Sequence, residues 1–212
     1  MPRPKKTEMQ RKAMRARILD AAYEILQELG PQGISARAIA DRLGMAHMAL
    51  FTYFQNQPSI LRALSERELA SIQARQLVFE ERAKREDIRQ VIRAALAFYP
   101  GLEKENPNVY RLVWVMPADN RDDPEEARLR QQSNVHHLAR LIQQGIERGV
   151  FEYRDPFLAA AVVFGMVNTP LILFHNGQIT SLDLRDRLVE EMLDAALHYL
   201  KREANFTKGK WN

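Results

Sequence analysis

Cysteine is absent from the 212 residues of this chain, and three kinds of site are excluded with it. Without a thiol there is no disulfide framework, no thiolate zinc site and no cysteine nucleophile. The absence also fits a reducing compartment. The sequence equally lacks a glycine-rich phosphate loop, a nucleophile elbow and the alternating β-branched runs that indicate strands. We therefore expect an all-α protein that is not an enzyme and holds no metal or cofactor.

The chain has little that indicates a targeting or membrane segment. Its N-terminus is basic and polar, without the apolar core of a signal peptide. The longest apolar run, residues 157–174, is rich in alanine and is interrupted by Asn168 and Pro170. Such a run favours a buried or interface helix over a membrane span. We expect a cytoplasmic protein.

The net charge is a modest +4, but the excess is placed unevenly. Residues 1–58 hold nine Lys and Arg against five Asp and Glu, whereas residues 59–212 balance at 22 against 22. Most of the surplus precedes Ile18. A basic arm ahead of a neutral body is typical of a protein that binds a polyanion, although a solubilising tail would have the same composition.

Apolar residues recur at helical spacing along nearly the whole chain, which predicts about nine helices. Three Asx-Pro pairs mark helix starts, because Asn and Asp cap a helix and Pro fits its first turn. These pairs are Asn106-Pro107, Asp123-Pro124 and Asp155-Pro156. The predicted parts are a basic arm at 1–16, a three-helix domain at 17–56, a helical domain at 57–204 and a tail at 205–212.

The three-helix domain has the pattern of a helix-turn-helix. A first helix would bury Ile18, Ala22, Ile25 and Leu29. Ser35 is a good N-cap for a second helix, and Gly44 ends it because glycine tolerates a left-handed backbone. A third helix is predicted from Ala46 to Phe54, with Leu50 and Phe54 facing inward.

These residues carry a resemblance to a known family. In register and without insertion, the chain resembles the DNA-binding head of TetR-family transcriptional regulators. The matching stretches are Ile18-Leu19-Asp20-Ala21-Ala22, Gly30, residues 34–40, Leu43-Gly44 and residues 50–54. The head covers about a quarter of the chain. The remainder resembles the family in helix count and length, and loosely at residues 139–151 followed by Asp155-Pro156.

The resemblance implies a homodimer whose two heads bind a palindromic operator in successive major grooves of double-stranded DNA. The C-terminal helices would form the dimer and enclose a pocket for a small-molecule effector. The implied activity is repression that the effector relieves. An activator, a ligand-independent regulator and a helical protein-interaction module remain as alternatives. The effector, the operator and the regulated genes are not readable from the sequence.

Candidate DNA-binding residues come from the basic arm, the second helix and the outer face of the third. They are Arg3, Lys5, Lys6, Arg11, Lys12, Ser35, Arg37, Ala46, His47, Met48, Phe51, Thr52 and Tyr53. The chain departs from the family at Ala46, Ala49 and Gln57, where Ser, Thr and Lys are common. Because the Thr and Lys often bind phosphates, we expect the basic arm to compensate by reaching phosphates or the minor groove.

The C-terminal part offers candidates for the dimer and for the effector pocket. The last two predicted helices, one apolar nearly all round and one amphipathic, suit a four-helix dimer interface. The candidate ligand-binding residues are Phe98, Leu102, Tyr110, Trp114, Phe164, Asn168 and Leu171. Asn168 is the polar exception in its run, and a buried amide must find hydrogen-bond partners. Plain core packing is the alternative for each aromatic residue.

Overall fold

The computed structural model describes residues 7–116 and 124–201, and of residues 124–134 it describes the backbone alone. Within these ranges there are nine α-helices and no strand, which confirms the predicted all-α fold. In chain order they are α1 (Glu8–Leu29), α2 (Ala36–Leu43), α3 (His47–Leu50), α4 (Gln57–Ala83), α5 (Ile88–Glu105), α6 (Pro107–Tyr110), α7 (Pro124–Glu147), α8 (Pro156–His175) and α9 (Leu182–Lys201).

The helices form two compact units. The first unit comprises Met1–Ser71 and Asn106–Asp119, and the second comprises Ile72–Glu105 and Asn120–Asn212. The division therefore falls inside α4, whereas the sequence placed a domain boundary at its start. The short helix α6 and the π-helical turn after it, Arg111–Val115, belong to the first unit.

Helix α1 begins earlier than the sequence analysis predicted. Residues 8–16, which we assigned to a basic arm, form its first turns. The cause is a capping box: the Gln10 amide nitrogen donates to Thr7 Oγ1 at 3.3 Å, and the Thr7 amide donates to Gln10 Oε1 at 2.9 Å. This reciprocal pair satisfies two backbone groups at the helix start, so the helix extends ten residues before its buried face begins at Ile18.

The first unit packs α1 against α2, α6 and the turn at Pro31–Gly33. Ile18, Ile25, Ile39 and Leu50 are fully buried there. The prediction that Leu29 also faces the core is wrong, since it is 58% exposed. Leu26 takes that place, because α1 ends at Leu29 and Gly30 turns the chain with a positive φ of 74°.

Helix α8 lies at the centre of the second unit, where it packs against α5, α7 and α9. Val163, Val167 and Leu171 on its inner face are fully buried. Its start matches the prediction, because the Asp155 carboxylate accepts hydrogen bonds from the amides of Phe157 and Leu158 at 2.8 and 3.0 Å. An apolar helix thus becomes the core around which the other three are placed.

A buried ionic cluster joins the ends of α5, α8 and α9. Arg185 Nη1 donates to Glu103 Oε2 at 3.0 Å, and His175 Nε2 lies 3.0 Å from Glu103 Oε1. Glu103 is 3% exposed and Arg185 6%. Such a pair is costly to break, because either partner alone would be an uncompensated buried charge. Next to it, hydrogen bonds from Lys104, more than those from Arg185, hold the pKa of Asp186 below its usual value against the opposing effect of burial.

Two helical glycines make a matched pair for testing how closely α7 packs against Phe151. A Cβ on Gly145 in α7 would lie 2.2 Å from the Phe151 ring, whereas a Cβ on Gly101 in α5 would meet nothing within 4 Å. We expect Gly145→Ala to lower the free energy of unfolding by about 1–3 kcal/mol through overpacking. Gly101→Ala should raise it by up to about 1 kcal/mol, since alanine favours a helix. Urea denaturation followed by circular dichroism measures both, and equal effects would contradict the assigned close contact.

Candidate nucleic-acid interface

Helix α2 begins and ends at the predicted residues. Ser35 Oγ accepts the amide hydrogen of Ala38 at 3.1 Å, and Gly44 closes the helix in the left-handed region with a φ of 61°. Arg37 is the second residue of the helix, is exposed and makes only a loose ion pair with Asp41 at 3.9 Å. Its charge is therefore open to a phosphate, and its contact with DNA stays a prediction.

Helix α3 is shorter than predicted. It was expected from Ala46 to Phe54, but its α-helical part is only His47–Leu50. Ala46 provides no side-chain cap, and beyond Leu50 the chain continues in tight turns, with the amides of Thr52 and Tyr53 bonded three residues back. Four residues are far fewer than an isolated helix needs for stability, so α3 depends on its surroundings.

Four of the side chains predicted on the outer face of this segment are accessible. His47 and Thr52 are exposed, Met48 is 71% exposed, and Phe51 is half-buried, with its ring edge-on to His47 at 5.3 Å. Thr52 Oγ1 donates to the Ala49 carbonyl at 2.8 Å, which leaves its lone pairs facing outward. This surface combines one imidazole, one hydroxyl and two apolar groups.

The expected position of Tyr53 on the outer face is wrong. Tyr53 is 7% exposed and Phe54 is 3% exposed, so both lie in the core of the unit. In the tight turns after Leu50, the side-chain direction changes by a larger angle per residue than in an α-helix, so Tyr53 points inward. Ala46, by contrast, is exposed just before α3, and its contact with DNA stays a prediction.

Two arginines of α1 donate hydrogen bonds to backbone carbonyls just after α3. Arg11 Nη2 donates to the Thr52 carbonyl at 3.2 Å, and Arg15 Nη1 donates to the Tyr53 carbonyl. The Arg15 guanidinium also stacks over the Phe54 ring, 3.9 Å from its centroid. These carbonyls would otherwise be orphaned where the helical turns stop. The cations thus fix the backbone of α3 and add positive charge beside it.

The sequence analysis missed Arg15, although a signal was present. Arg11 and Arg15 are four residues apart, which places them on one face of a helix. The Thr7-x-x-Gln10 pattern shows that the helix includes both. Of the residues assigned to a flexible arm, Arg11 and Lys12 therefore lie on α1, where both are exposed. Arg3, Lys5 and Lys6 lie outside the described residues.

Other polar groups of the first unit are occupied within it. Hydrogen bonding by Arg42 lowers the pKa of Glu28, and the same arginine reaches Glu24 at 3.4 Å. Gln57, at the position where a phosphate-binding lysine was expected, donates from Nε2 to the Ile34 carbonyl at 3.0 Å. The positive charge available to a polyanion in the described part of this unit therefore comes mainly from Arg11, Lys12, Arg17 and Arg37.

The seven predicted ligand-binding residues divide between the two units. Tyr110 and Trp114 lie in the first, with ring centroids 5.0 Å apart. In the second unit, Phe98 and Phe164 both contact Tyr99, at 5.8 and 4.9 Å between centroids. Leu102 and Leu171 are buried core residues there. Asn168 is buried and donates from Nδ2 to the Phe164 carbonyl of its own helix at 2.9 Å. Their role in ligand binding stays a prediction.

A cleft in the second unit has a different lining, which includes none of those seven. We call it the α4–α7 cleft; it is lined by Gln76, Phe79, Glu80, Ala95, His137, Leu138 and Leu141. Its open volume is about 10 Å³, which is room for about one water molecule. Burial would raise the pKa of Glu80, but hydrogen bonds from Arg140 at 2.5 Å and His137 at 2.8 Å outweigh it and lower that pKa. No group of three potential metal ligands occurs among the described residues.

Comparison with known proteins agrees with this geometry. Residues 18–64 match the family of bacterial regulatory proteins named tetR. The class A tetracycline repressor protein from transposon 1721 of Escherichia coli is 40% identical over 53 residues, which are 25% of this chain and 24% of that protein. The chain thus spans about a quarter of the length of the curated relatives it matches.

Two solved structures extend the likeness to the whole fold. The transcriptional regulator FadR from Bacillus subtilis, solved with stearoyl-CoA, is 20% identical, with a TM-score of 0.66 over 86% of this chain and 97% of that one. A TetR-family transcriptional regulator from Pectobacterium atrosepticum is also 20% identical, with a TM-score of 0.67 over 92% and 96%. At this identity the likeness shows the fold.

The first unit is thus a helix-turn-helix domain of the class that presents a short helix to DNA. Residues 18–64 of this domain are similar to the tetR family of bacterial regulatory proteins, and the fold of the whole chain is that of solved structures that include a TetR-family regulator.

Replacing Arg15 tests its proposed hold on α3. We expect Arg15→Ala to weaken binding to DNA about tenfold, the size expected for one charge-assisted hydrogen bond. Amide hydrogens of residues 46–56 should exchange faster in hydrogen-exchange mass spectrometry. Because the effect is one of positioning, the dependence of log K on log salt concentration should keep its slope. A slope reduced by about 0.9, with unchanged exchange, would show a phosphate contact instead.

Arg17→Ala is the matched control. Arg17 is also exposed on α1, but it lies two residues further on and therefore on another side of the helix. We expect this variant to leave hydrogen exchange in residues 46–56 unchanged.

Proposed function

We propose that this protein is a transcriptional regulator that binds a palindromic operator as a homodimer and acts as a repressor released by a small molecule. The observation that carries the proposal is the exposed surface of α3 behind a Ser35-capped α2, in a domain similar to those of the TetR family. Phosphates would contact Arg11, Lys12 and Arg37, with the arm residues Arg3, Lys5 and Lys6. Bases would contact His47, Met48 and Thr52.

The chemistry of α3 favours particular base edges. A Thr52 hydroxyl can exchange a hydrogen bond with a base edge or pack its methyl group on thymine, and His47 can donate to a purine N7 or to a phosphate. Met48 and Phe51 have no hydrogen-bonding groups suited to this, so they favour thymine methyl groups. We therefore expect an operator with A·T pairs at the positions under α3.

The exposed apolar surface of α8 supports the homodimer. Its most apolar 18 residues have a mean hydropathy of 2.1, yet only 39% of them are buried. Leu158, Gly165 and Thr169 lie at helical spacing along one exposed strip, and Leu184 and Ala195 of α9 are exposed too. Small residues such as Gly165 allow two helices to approach closely. A pair of such helices from each subunit would cover this surface.

Length and composition alone would let α8 cross a membrane, and among the described residues it is the one helix of which this is true. A core helix of a water-soluble protein passes the same test, however. Burial of its inner face against three neighbours and a dimer contact on its outer face account for its apolar character. We propose a cytoplasmic protein that acts by binding DNA and not as an enzyme.

Regulation would couple two sites through α4. In a two-fold dimer the recognition helices must enter grooves about 34–36 Å apart. An effector that binds better to a conformation with another spacing lowers operator affinity by its difference in binding free energy. Helix α4 is continuous from Gln57 in the first unit to Ala83 in the second, so it is the natural connection. The stearoyl-CoA bound to the Bacillus subtilis regulator supports a small-molecule effector without identifying the one used here.

Selection of bound fragments from the source genome, by purified protein at near-physiological salt, tests the DNA-binding function. We expect a short palindrome with half-sites about one helical turn apart. Binding that is sensitive to salt but blind to sequence would contradict an operator-specific regulator. The position of the palindrome relative to the promoter separates repression from activation. Failure to bind DNA at all would favour a helical protein-interaction module.

Replacing Gly165 with glutamate tests whether α8 lies in the dimer interface. The residue is exposed, and a Cβ there would meet nothing within 4 Å in its own chain, so the monomer accommodates the side chain. In a two-fold contact, however, Gly165→Glu brings two carboxylates into an apolar interface. We expect monomers in sedimentation velocity, whereas Gly101→Glu, which adds the same group to α5, should leave a dimer. Dimers of both variants would place the interface elsewhere.

A further inference from the structure

The hydroxyl hydrogen of Thr52 is already used inside the protein. Thr52 Oγ1 lies 2.8 Å from the carbonyl oxygen of Ala49. Because a carbonyl oxygen can only accept, the hydrogen of this bond must come from the Thr52 hydroxyl. A hydroxyl has one hydrogen and two lone pairs, so the group that Thr52 presents outward is a hydrogen-bond acceptor.

The backbone on both sides of Thr52 holds the hydroxyl in this orientation. The Thr52 amide also donates to the Ala49 carbonyl, but at 3.3 Å, so the hydroxyl makes the shorter of the two bonds. Arg11 Nη2 donates to the Thr52 carbonyl at 3.2 Å and fixes the other side of the residue. A β-branched side chain has few χ1 rotamers. Turning the hydroxyl to donate elsewhere would therefore break a bond within the protein.

This acceptor belongs to the surface that we propose contacts bases. Thr52 is exposed, and it follows Met48, which is 71% exposed, by four residues. Residues four apart in a helical segment lie on the same side of it. One acceptor and one apolar side chain are thus presented together.

Only two groups in the major groove can donate to an acceptor, namely the N6 amino group of adenine and the N4 amino group of cytosine. Guanine and thymine present acceptors there, and phosphate oxygens can only accept. The bond to Ala49 therefore excludes a phosphate as the partner of the Thr52 hydroxyl. An A·T pair also carries the thymine methyl group, on which Met48 can pack, whereas a C·G pair has no methyl group. Adenine is the base that suits both side chains.

We propose that Thr52 is a specificity-determining residue that recognises adenine: Thr52 Oγ1 accepts a hydrogen bond from the adenine N6 amino group, and Met48 packs on the methyl group of the paired thymine. The sequence alone allows Thr52 to donate, to accept or to pack on a methyl group, and its bond to Ala49 selects acceptance. This inference rests on the DNA-binding function proposed above and names the base group that the function uses.

Base analogues test the inference on the wild-type protein. In synthetic duplexes of the selected palindrome, each adenine under α3 is replaced in one half-site by unsubstituted purine, which lacks the N6 amino group. We expect one such replacement to weaken binding about fivefold, the size of one neutral hydrogen bond. At the same position 7-deazaadenine, which lacks N7 but keeps the amino group, should bind as adenine does. Fluorescence anisotropy at fixed salt measures these affinities.

Two variants assign the effect to Thr52. Thr52→Val has nearly the same shape without a hydroxyl, and it should bind the adenine and purine duplexes equally well. Thr52→Ser keeps the hydroxyl and should keep the fivefold ratio. Because each ratio is taken within one protein, changes in overall affinity or stability cancel. Thr180→Val makes the same change at an exposed residue between α8 and α9, and it should keep the wild-type ratio.

Several outcomes would overturn the inference. One is the absence of any adenine at which purine weakens binding, and another is an undiminished ratio in Thr52→Val. A loss with 7-deazaadenine but not with purine would show that the protein donates to N7 instead. A Thr52-dependent preference for guanine or thymine would show that the hydroxyl donates, and one for cytosine would exclude adenine.

The same experiment separates this inference from the proposed function. If a palindrome is selected but Thr52→Val keeps the fivefold ratio, the inference about Thr52 fails and the operator-binding function stands. If no sequence is selected by the wild-type protein, the proposed function fails and the inference fails with it.

Discussion

Helix α3, with only four residues, cannot hold its own shape, and the first unit is organised around that constraint. Forming a single turn costs more conformational entropy than its few hydrogen bonds return. Leu50 and Phe54 fix α3 from inside, and Arg11 and Arg15 bond the carbonyls that its early end leaves open. Helix α1 therefore does more than support the fold. Its capping box at Thr7 extends it far enough to bring both arginines to the end of α3.

In the second unit, polar interactions fix the positions of helices that pack on an apolar core. An apolar helix, α8, supplies the core, and packing alone would leave its neighbours free to slide along it. Directional interactions at the ends limit that freedom: Glu103, His175 and Arg185 connect α5, α8 and α9 where α8 ends. Gln76 and Tyr99 connect α4 to α5 further along. The first cluster has its charges paired, whereas Gln76 retains an unpaired acceptor.

The similarity to other regulators is of two kinds, one in sequence over the DNA-binding domain and one in fold over the whole chain. The tetracycline repressor is 40% identical over 53 residues, which is 25% of this chain. The whole-chain likeness is one of fold, at 20% identity. Docking to a DNA groove restricts which residues can pack beneath α3. A ligand site need only surround its own ligand, so its side chains are free to differ.

Local signals in the sequence determined the all-α fold, because caps and turn glycines act within a few residues. Ser35, Gly44, Asn106 and Asp155 begin or end helices where the pattern predicted. The tertiary structure alone decided which side chains face inward at the end of α3, where tight turns bury Tyr53. It also decided which residues meet across the chain, such as Arg15 with Tyr53 and Gln76 with Tyr99. The spacing of apolar residues predicts that a face is buried, but it does not say what lies opposite, because that depends on residues far away in the chain.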